Sequence, residues 1–258
     1  MSLCEVTVED GVYTLELNRP EAMNALSQAF LDEMQRSLLR VESDLGARAL
    51  IVQSSSHKAF CAGADLKERR EMNEGQVREA VGKIRATINR IGSLPIPTIA
   101  AVRGVALGGG FELALACDLR VVAETATLGL TETRLAIIPG AGGTQRLSRL
   151  VGLARAKDLI LTGRRITGEE AYHLGIAEYL TGDVEVYERA QALAKEMAEG
   201  GPIAVRQAKR AMDEGYGKPL AEALAIEEAA YEQVIHTEDR QEGLLAFAEK
   251  RKPKYQGR

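Results

Sequence analysis

An α/β layer fold is predicted from three observations. Apolar, β-branched runs ("ARALIVQSS", "LPIPTIAAVRG", "LRVVAE") alternate with stretches of helical periodicity, and strands separated by helices imply parallel crossovers. The first twenty residues alternate polar and apolar side chains around a turn signal, which predicts a hairpin. From Gly142 onward the pattern becomes helical with no strong strand.

In chain order, residues 3 to 8 and 12 to 17 flank "EDG" as the hairpin. A helix follows from about Ser27 to Asp44, with Ser27 as N-cap and Phe30, Leu31, Met34, Leu38 and Val41 at helical spacing. A buried strand ends in a loop at residues 54 to 65. A charged helix then runs from about Leu66 to Ile91, with an interruption near Gly75. The prolines of "LPIPTIAAVRG" break that helix and precede a second buried strand. A helix after the glycines of "GVALGGGFELALACDLR", a third strand in "LRVVAE" and a short fourth in "ATLGL" complete the series. Residues 144 to 163, 168 to 175 and most of 184 to 249 read as helices. No internal repeat is visible in the sequence. The expected division is a core over residues 1–195 and a helical region over 196–258.

A chain of 258 residues can bury about 70–75% of its unfolded surface in one large core. Its formal charge of −4 gives no global basic excess of the kind that drives non-specific nucleic-acid binding. The last ten residues, "EKRKPKYQGR", are locally basic. Three widely spaced cysteines, Cys4, Cys61 and Cys117, with no C-x-x-C pair, predict a reducing compartment and no metal site. The amino terminus lacks the basic and apolar regions of a signal peptide, and no window of 18 apolar residues occurs. A cytoplasmic protein is expected, or a mitochondrial matrix one if this is the processed form of a eukaryotic chain.

Three consecutive glycines, Gly108 to Gly110, cost about 0.5–1 kcal/mol each relative to Ala in a regular element, so a reason is needed to keep them. Neither "GVALGGGFE" nor "GAGGTQR" carries the Lys-Ser/Thr pair of a P-loop. "PGAGGTQRL" places Gln145 where a dinucleotide fingerprint needs its third glycine. What remains is a helix amino terminus whose free N–H groups suit a negative oxygen, or close packing of helix on strand. "KAFCAGADLKERR" repeats the layout: a strand, the small residues Ala62, Gly63 and Ala64, and a helix opening at about Asp65. Two such turns can each donate one amide to an oxyanion hole, and Asp65 serves equally as an N-cap. Glu112 falls in the first turn after the glycines, where an acid also compensates the helix dipole. Glu132 reads alone as a loop acid between threonines.

Taken together, "FCAGADLKE", "GVALGGGFELALACDLRV" and "TETRLAIIPGAGGTQRL" resemble, in order and spacing, the motifs of the enoyl-CoA hydratase/isomerase (crotonase) family. The resemblance covers nearly the whole chain. It implies a crotonase-type ββα spiral with a helical carboxy-terminal trimerisation region, assembled as a homotrimer or a dimer of trimers. It implies an oxyanion hole from the amides of Ala64 and Gly109, which hold the thioester carbonyl. It implies two acid–base glutamates, Glu112 and Glu132, and a water-orienting backbone contact at Gly140. Ala62, Asp65, Leu66 and Lys67 belong to the implied substrate-binding set, with Lys67 near the adenine and phosphates of coenzyme A. The basic tail around Lys250 and Arg251 either reaches those phosphates or is solvated. Coenzyme A enters as part of the substrate, and no cofactor is expected.

Both glutamates being present favours hydration of an enoyl-CoA over double-bond isomerisation, since family isomerases typically keep only the second. "AFCAGADLKER", "LALACDLRV" and "LLAFAEKR" look closest to the 3-methylglutaconyl-CoA hydratases, whose animal members also bind AU-rich RNA through a comb of lysines on the first helix. Here that face offers Gln28, Asp32 and Arg36, so RNA binding is not expected. A catalytically dead binding or scaffold protein would lack one glutamate or carry a bulky residue for Gly109, and neither departure occurs. The acyl pocket is expected to draw on residues near 68 to 90 and on the carboxy-terminal helices.

Overall fold

The computed structural model describes residues 2–258. The hairpin pairs β1 (Cys4–Glu9) with β2 (Val12–Leu17), and Asp10 and Gly11 both take the positive φ that a two-residue connection of this hand requires. Helix α1 (Gln28–Ser43) begins where Ser27 Oγ accepts the Phe30 N–H at 3.3 Å, and it buries the five apolar residues whose spacing predicted it. β3 (Ala49–Ser54) and the short β4 (Ala59–Cys61) follow, then α2 (Leu66–Arg69) and α3 (Glu74–Gly92). The predicted break lies at residues 70–73, where Asn73 and Gln76 form a capping box that starts α3.

β5 (Thr98–Val102) and β6 (Val105–Leu107) lead into α4 (Gly109–Ala116), and β7 (Leu119–Ala123) and β8 (Thr127–Gly129) come next. A 3-10 turn covers Glu132–Leu135, followed by α5 (Gly143–Val151), α6 (Leu153–Thr162), β9 (Ile166–Thr167), α7 (Gly168–His173) and β10 (Tyr179–Thr181). The chain closes with α8 (Val186–Ala198), α9 (Pro202–Gly215), α10 (Leu220–Ile235) and α11 (Glu238–Glu249).

Two sheets result. One has the order β1-β2-β3-β5-β7-β10, antiparallel only at the hairpin; the other is β4-β6-β8-β9, antiparallel only at its last pair. Each circuit of the chain gives one strand to the first sheet, one to the second and then helix, which is the ββα spiral. The repeat is one of structure: β3, β5 and β7 share no sequence beyond small and β-branched residues. Three strands escape the sequence reading as elements of their own: β6 abuts the glycines, and β9 and β10 lie after Gly142, where no strong strand is expected; β4 is the short strand read before Ala62 in "KAFCAGADLKERR". Strands of two or three residues are too short to show alternation.

The apolar core lies between the main sheet and α1, α3, α4 and α8; α8 contributes Val186, Ala190, Leu193 and Ala194. Beyond α8 little apolar surface is buried, and α9 is fastened instead by the buried Lys209, whose Nζ stands 2.5 Å from Asp118 Oδ2. In the basic tail Arg251 pairs with Glu242 and Glu249 at 2.6 Å, Lys252 with Glu199 at 2.9 Å and Arg258 with Glu238 at 2.9 Å, all at the exposed surface, so these cations remain solvated. On α1, Asp32 accepts an ion pair from Lys83 at 2.6 Å.

Candidate active site

Two backbone turns meet at the junction of the sheets. Leu26 forms a parallel bridge with Ala64: its N–H donates to Gly63 O at 2.8 Å, and its carbonyl accepts the Asp65 N–H at 3.3 Å. A parallel bridge of this kind uses the groups flanking Ala64 and turns the Ala64 N–H to the opposite side. The loop that supplies Leu26 is pinned by the buried Asn24, whose Nδ2 reaches Ser54 Oγ at 2.7 Å and Phe60 O at 3.0 Å.

Facing this turn is the start of α4. A Cβ on Gly109 would stand 3.8 Å from Ala64 N, so the two amides are neighbours. Among the described residues neither N–H has an acceptor within the chain. Gly110 has a different duty: a Cβ there would lie 2.0 Å from Cys61 O, so this glycine lets the helix press onto β4. Gly108, with φ +50°, turns the chain into the helix, and a Cβ on it would come within 3.1 Å of Glu132 Oε1. The two sequence readings of the triple glycine, a free amide and close packing, therefore fall on different residues. The far end of α4 is held by the buried Arg120, which donates to Cys117 O at 2.8 Å and to Ile176 O at 2.6 Å.

Both glutamates are buried and differently held. Glu112 Oε1 accepts the N–H groups of Ala141 at 2.7 Å and Gly143 at 2.8 Å, so the "PGAGG" segment clamps the acid of α4. Burial raises its carboxyl above the usual range, while these two donors and the charges of Arg146 and Arg85 pull it back. Glu132 opens the 3-10 turn, and its Oε2 is buried with no hydrogen-bond partner among the described residues. Burial pushes its carboxyl up to about 7, the charge of Glu112 adds to the rise, and Arg69 opposes it. At neutral pH Glu132 therefore holds a proton far more readily than a free glutamate.

The amides and acids line one cavity of about 880 Å³. Of the other residues that the family resemblance marks, Ala62, Leu66 and Gly140 line it too. Asp65 and Lys67 do not. The Asp65 carboxylate caps α2 through the Lys67 and Glu68 N–H groups and pairs with Arg19 at 2.8 Å, and Lys67 is exposed. The carbonyl of Gly140 accepts Arg85 Nε at 2.7 Å. No residue beyond Arg165 lines the cavity, so the carboxy-terminal helices of the same chain do not reach it, whereas the stretch 68–90 does through Arg69, Val77, Val81, Ile84 and Arg85. Leu135, Ile137 and Ile138 add apolar lining. Sequence reasoning missed the clamp on Glu112 and four arginines, Arg69, Arg85, Arg134 and Arg165. A glycine-rich segment entering a helix was the one available signal for the clamp.

With this geometry in hand, comparison with known proteins is specific. The family model described as enoyl-CoA hydratase/isomerase matches residues 7–258. The chain belongs to the enoyl-CoA hydratase/isomerase family. It is 52% identical to an enoyl-CoA hydratase from Bacillus anthracis whose crystal structure superposes with a TM-score of 0.98, covering 99% of this chain and 100% of the other. An enoyl-CoA hydratase from Mycobacterium tuberculosis is 32% identical with a TM-score of 0.91, covering 100% of both chains. A mitochondrial methylglutaconyl-CoA hydratase of Rattus norvegicus is 50% identical over 252 residues, spanning 96% of this chain and 80% of that one. The fold is that of the crotonase family.

Proposed function

We infer that the chain is an enoyl-CoA hydratase, adding water across the 2,3 double bond of an enoyl-CoA thioester. One observation carries the reading: two unbonded amides and two buried, differently tuned carboxyls share a single cavity. The thioester oxygen accepts the Ala64 and Gly109 N–H groups. Water attacks C3 as Glu112 takes one of its protons, the π electrons move through C2 to the carbonyl oxygen, and the enolate charge is held by the two amides. Glu132 then delivers its proton to C2, the carbonyl re-forms, and the product is a 3-hydroxyacyl-CoA. One water has been added and the pair of acids has exchanged a proton, to be restored from solvent. Gly140 orients the water through its backbone. Positioned acid–base groups of this kind contribute about 10²–10⁴-fold.

Within this reading a 3-methylglutaconyl-CoA hydratase is the more particular assignment, supported by the likeness to the rat enzyme of that name. Isomerisation is less favoured because both acids are present and buried. The helices after α8 expose Met212, Tyr216, Leu220, Tyr231, Leu244 and Phe247, apolar surface that a homotrimer or a dimer of trimers would cover. No nucleic-acid partner and no cofactor besides the substrate's coenzyme A is invoked. No helix among the described residues is long and apolar enough to cross a membrane. The three thiols are free and buried, in keeping with a reducing compartment, cytoplasm or mitochondrial matrix. Loss of the enoyl-thioester absorbance, followed with crotonyl-CoA and 3-methylglutaconyl-CoA side by side, tests the reading; no loss with either would end it.

A further inference from the structure

The loop that holds Glu112 is itself held by an arginine. The two donors to Glu112 Oε1, the N–H groups of Ala141 and Gly143, lie on alternate peptide units of residues 139–143, three of which are glycine. Glycine peptides rotate at little cost, so each N–H points reliably only where the carbonyl of its own unit is fixed. Arg85 fixes the unit that carries the Ala141 N–H, donating from Nε to Gly140 O at 2.7 Å. The first turn of α5 fixes the unit that carries the Gly143 N–H, because Gly142 O accepts the N–H groups of Gln145 at 3.0 Å and Arg146 at 2.8 Å. Among the described residues the unit between them has one hydrogen bond, from Arg146 Nη1 to Ala141 O at 2.8 Å.

Arg146 is half-buried behind the loop and does not line the substrate cavity. Its guanidinium lies against Gly142, where φ is +105° and a Cβ would overlap Nη1, so this glycine of "PGAGGTQR" makes room for the arginine that ends the motif. The other prong reaches α3, where Nη2 donates to Asn89 Oδ1 at 2.8 Å. A planar guanidinium spans two acceptors in fixed directions, which an ammonium on a flexible stem does not. The charged groups that face the Glu112 carboxyl are Arg146 from α5, Arg85 from α3 and Glu132 from the 3-10 turn. The two cations favour its ionised form, and an ionised Glu132 opposes it.

Resting on the hydratase reading, in which Glu112 is the base, we propose that Arg146 is the positioning residue of that base: it locks the Ala141–Gly142 peptide so that two N–H groups converge on Oε1, leaving Oε2 to the water. Without the lock the glycine peptides turn, the donors leave Oε1, and burial acts on the carboxyl unopposed.

Arg146→Met keeps the stem and removes the fork. It should lower kcat for hydration of crotonyl-CoA or 3-methylglutaconyl-CoA at least about tenfold while leaving butyryl-CoA affinity within about twofold. The acid limb of kcat/KM, where the base takes up its proton, should move to higher pH by at least about half a unit. Arg146→Lys keeps the charge without the two-way grip, so kcat should stay low. Asn89→Ala frees only Nη2 and should move kcat and the limb the same way by less, which preserves the test should Arg146→Met fold poorly. Arg78→Met, which removes an exposed cation paired with Glu74 on α3, should change neither. A lowered melting temperature with an unmoved acid limb overturns the proposal, because Arg146 is then purely structural. Full rescue by lysine overturns it in favour of charge alone. The Glu112 carboxyl is also titrated in substrate-free protein, by the infrared band that Glu112→Gln lacks. Absence of turnover on both esters removes the hydratase reading, whereas an Arg146→Met midpoint equal to that of the wild type removes the role of Arg146.

Discussion

Gly143 donates its N–H to Glu112 Oε1 at 2.8 Å, tying the acid of α4 to the first residue of α5. Glu132, the other acid of the cavity, has a buried oxygen with no such donor. This asymmetry separates their duties. The clamped carboxylate has its charge partly satisfied and suits a base, while the unclamped one resists ionising and suits an acid.

Replacing either acid by glutamine keeps the volume and removes the proton chemistry. Glu112→Gln and Glu132→Gln are each expected to lower kcat for hydration by at least about 10²-fold, with binding of a saturated acyl-CoA nearly unchanged. Stopped-flow turnover and calorimetry on the same preparations check this. Near wild-type kcat in one variant would remove that residue from the chemistry.

The pH dependence follows from the same asymmetry. If Glu132 delivers a proton, the free enzyme must hold it protonated, and burial raises that carboxyl to about 7. Accordingly kcat/KM should fall as pH rises through about 7, tenfold per unit well above it. Arg69 opposes the rise, so Arg69→Met should move this limb to higher pH. A flat profile between pH 6 and 9 would contradict the assignment.

Much of this arrangement is legible in the sequence, and the omissions share a cause. The hairpin and α1 show themselves because alternation and helical spacing run over six residues or more, and because Ser27 is a strong cap. β6 and β10 are three residues each, and their pairing is fixed by neighbours in space, so local periodicity carries no trace of them. The glycine and glutamate motifs are contiguous, which makes Ala64, Gly109, Glu112 and Glu132 visible. Arg69 and Arg85 sit in charged helices, where an arginine reads as a solvated face until the fold turns it toward a cavity.

Stability should carry the mark of the buried acid. The folded-state carboxyl of Glu132 lies above its ordinary 4.5, so the folded protein binds the proton more tightly than the unfolded chain. Stability is then greatest at low pH within this linkage and declines as pH rises from about 4.5 through about 7. Glu132→Gln removes the ionisation, and is expected to stabilise the protein at pH 8 by about 1–3 kcal/mol, allowing for partial solvent screening. At about 2–4 °C per kcal/mol, the melting temperature should rise by several degrees at pH 8, with the gain shrinking toward pH 5. An equal shift at both pH values would point to packing instead of charge.

The adjacent glycines Gly109 and Gly110 offer the sharpest separation of catalysis from folding. A Cβ on Gly109 would meet only the Leu26 Cδ1 atom closely, at 3.2 Å, the end of a flexible side chain that can yield. A Cβ on Gly110 would overlap the Cys61 carbonyl at 2.0 Å, a backbone atom of β4 that cannot move without disturbing the sheet. Gly109→Val should therefore fold and lose at least about 10²-fold in kcat, because its side chain displaces an amide that holds the enolate oxygen; one such donor is worth about 2.7–4 kcal/mol. Gly110→Ala, the smaller change, should lower the melting temperature steeply or prevent folding. Melting temperature and kcat measured on both purified variants decide the matter. A folded, fully active Gly109→Val would take its amide out of the oxyanion hole, and a Gly110→Ala as stable as the wild type would refute the close approach of α4 to β4.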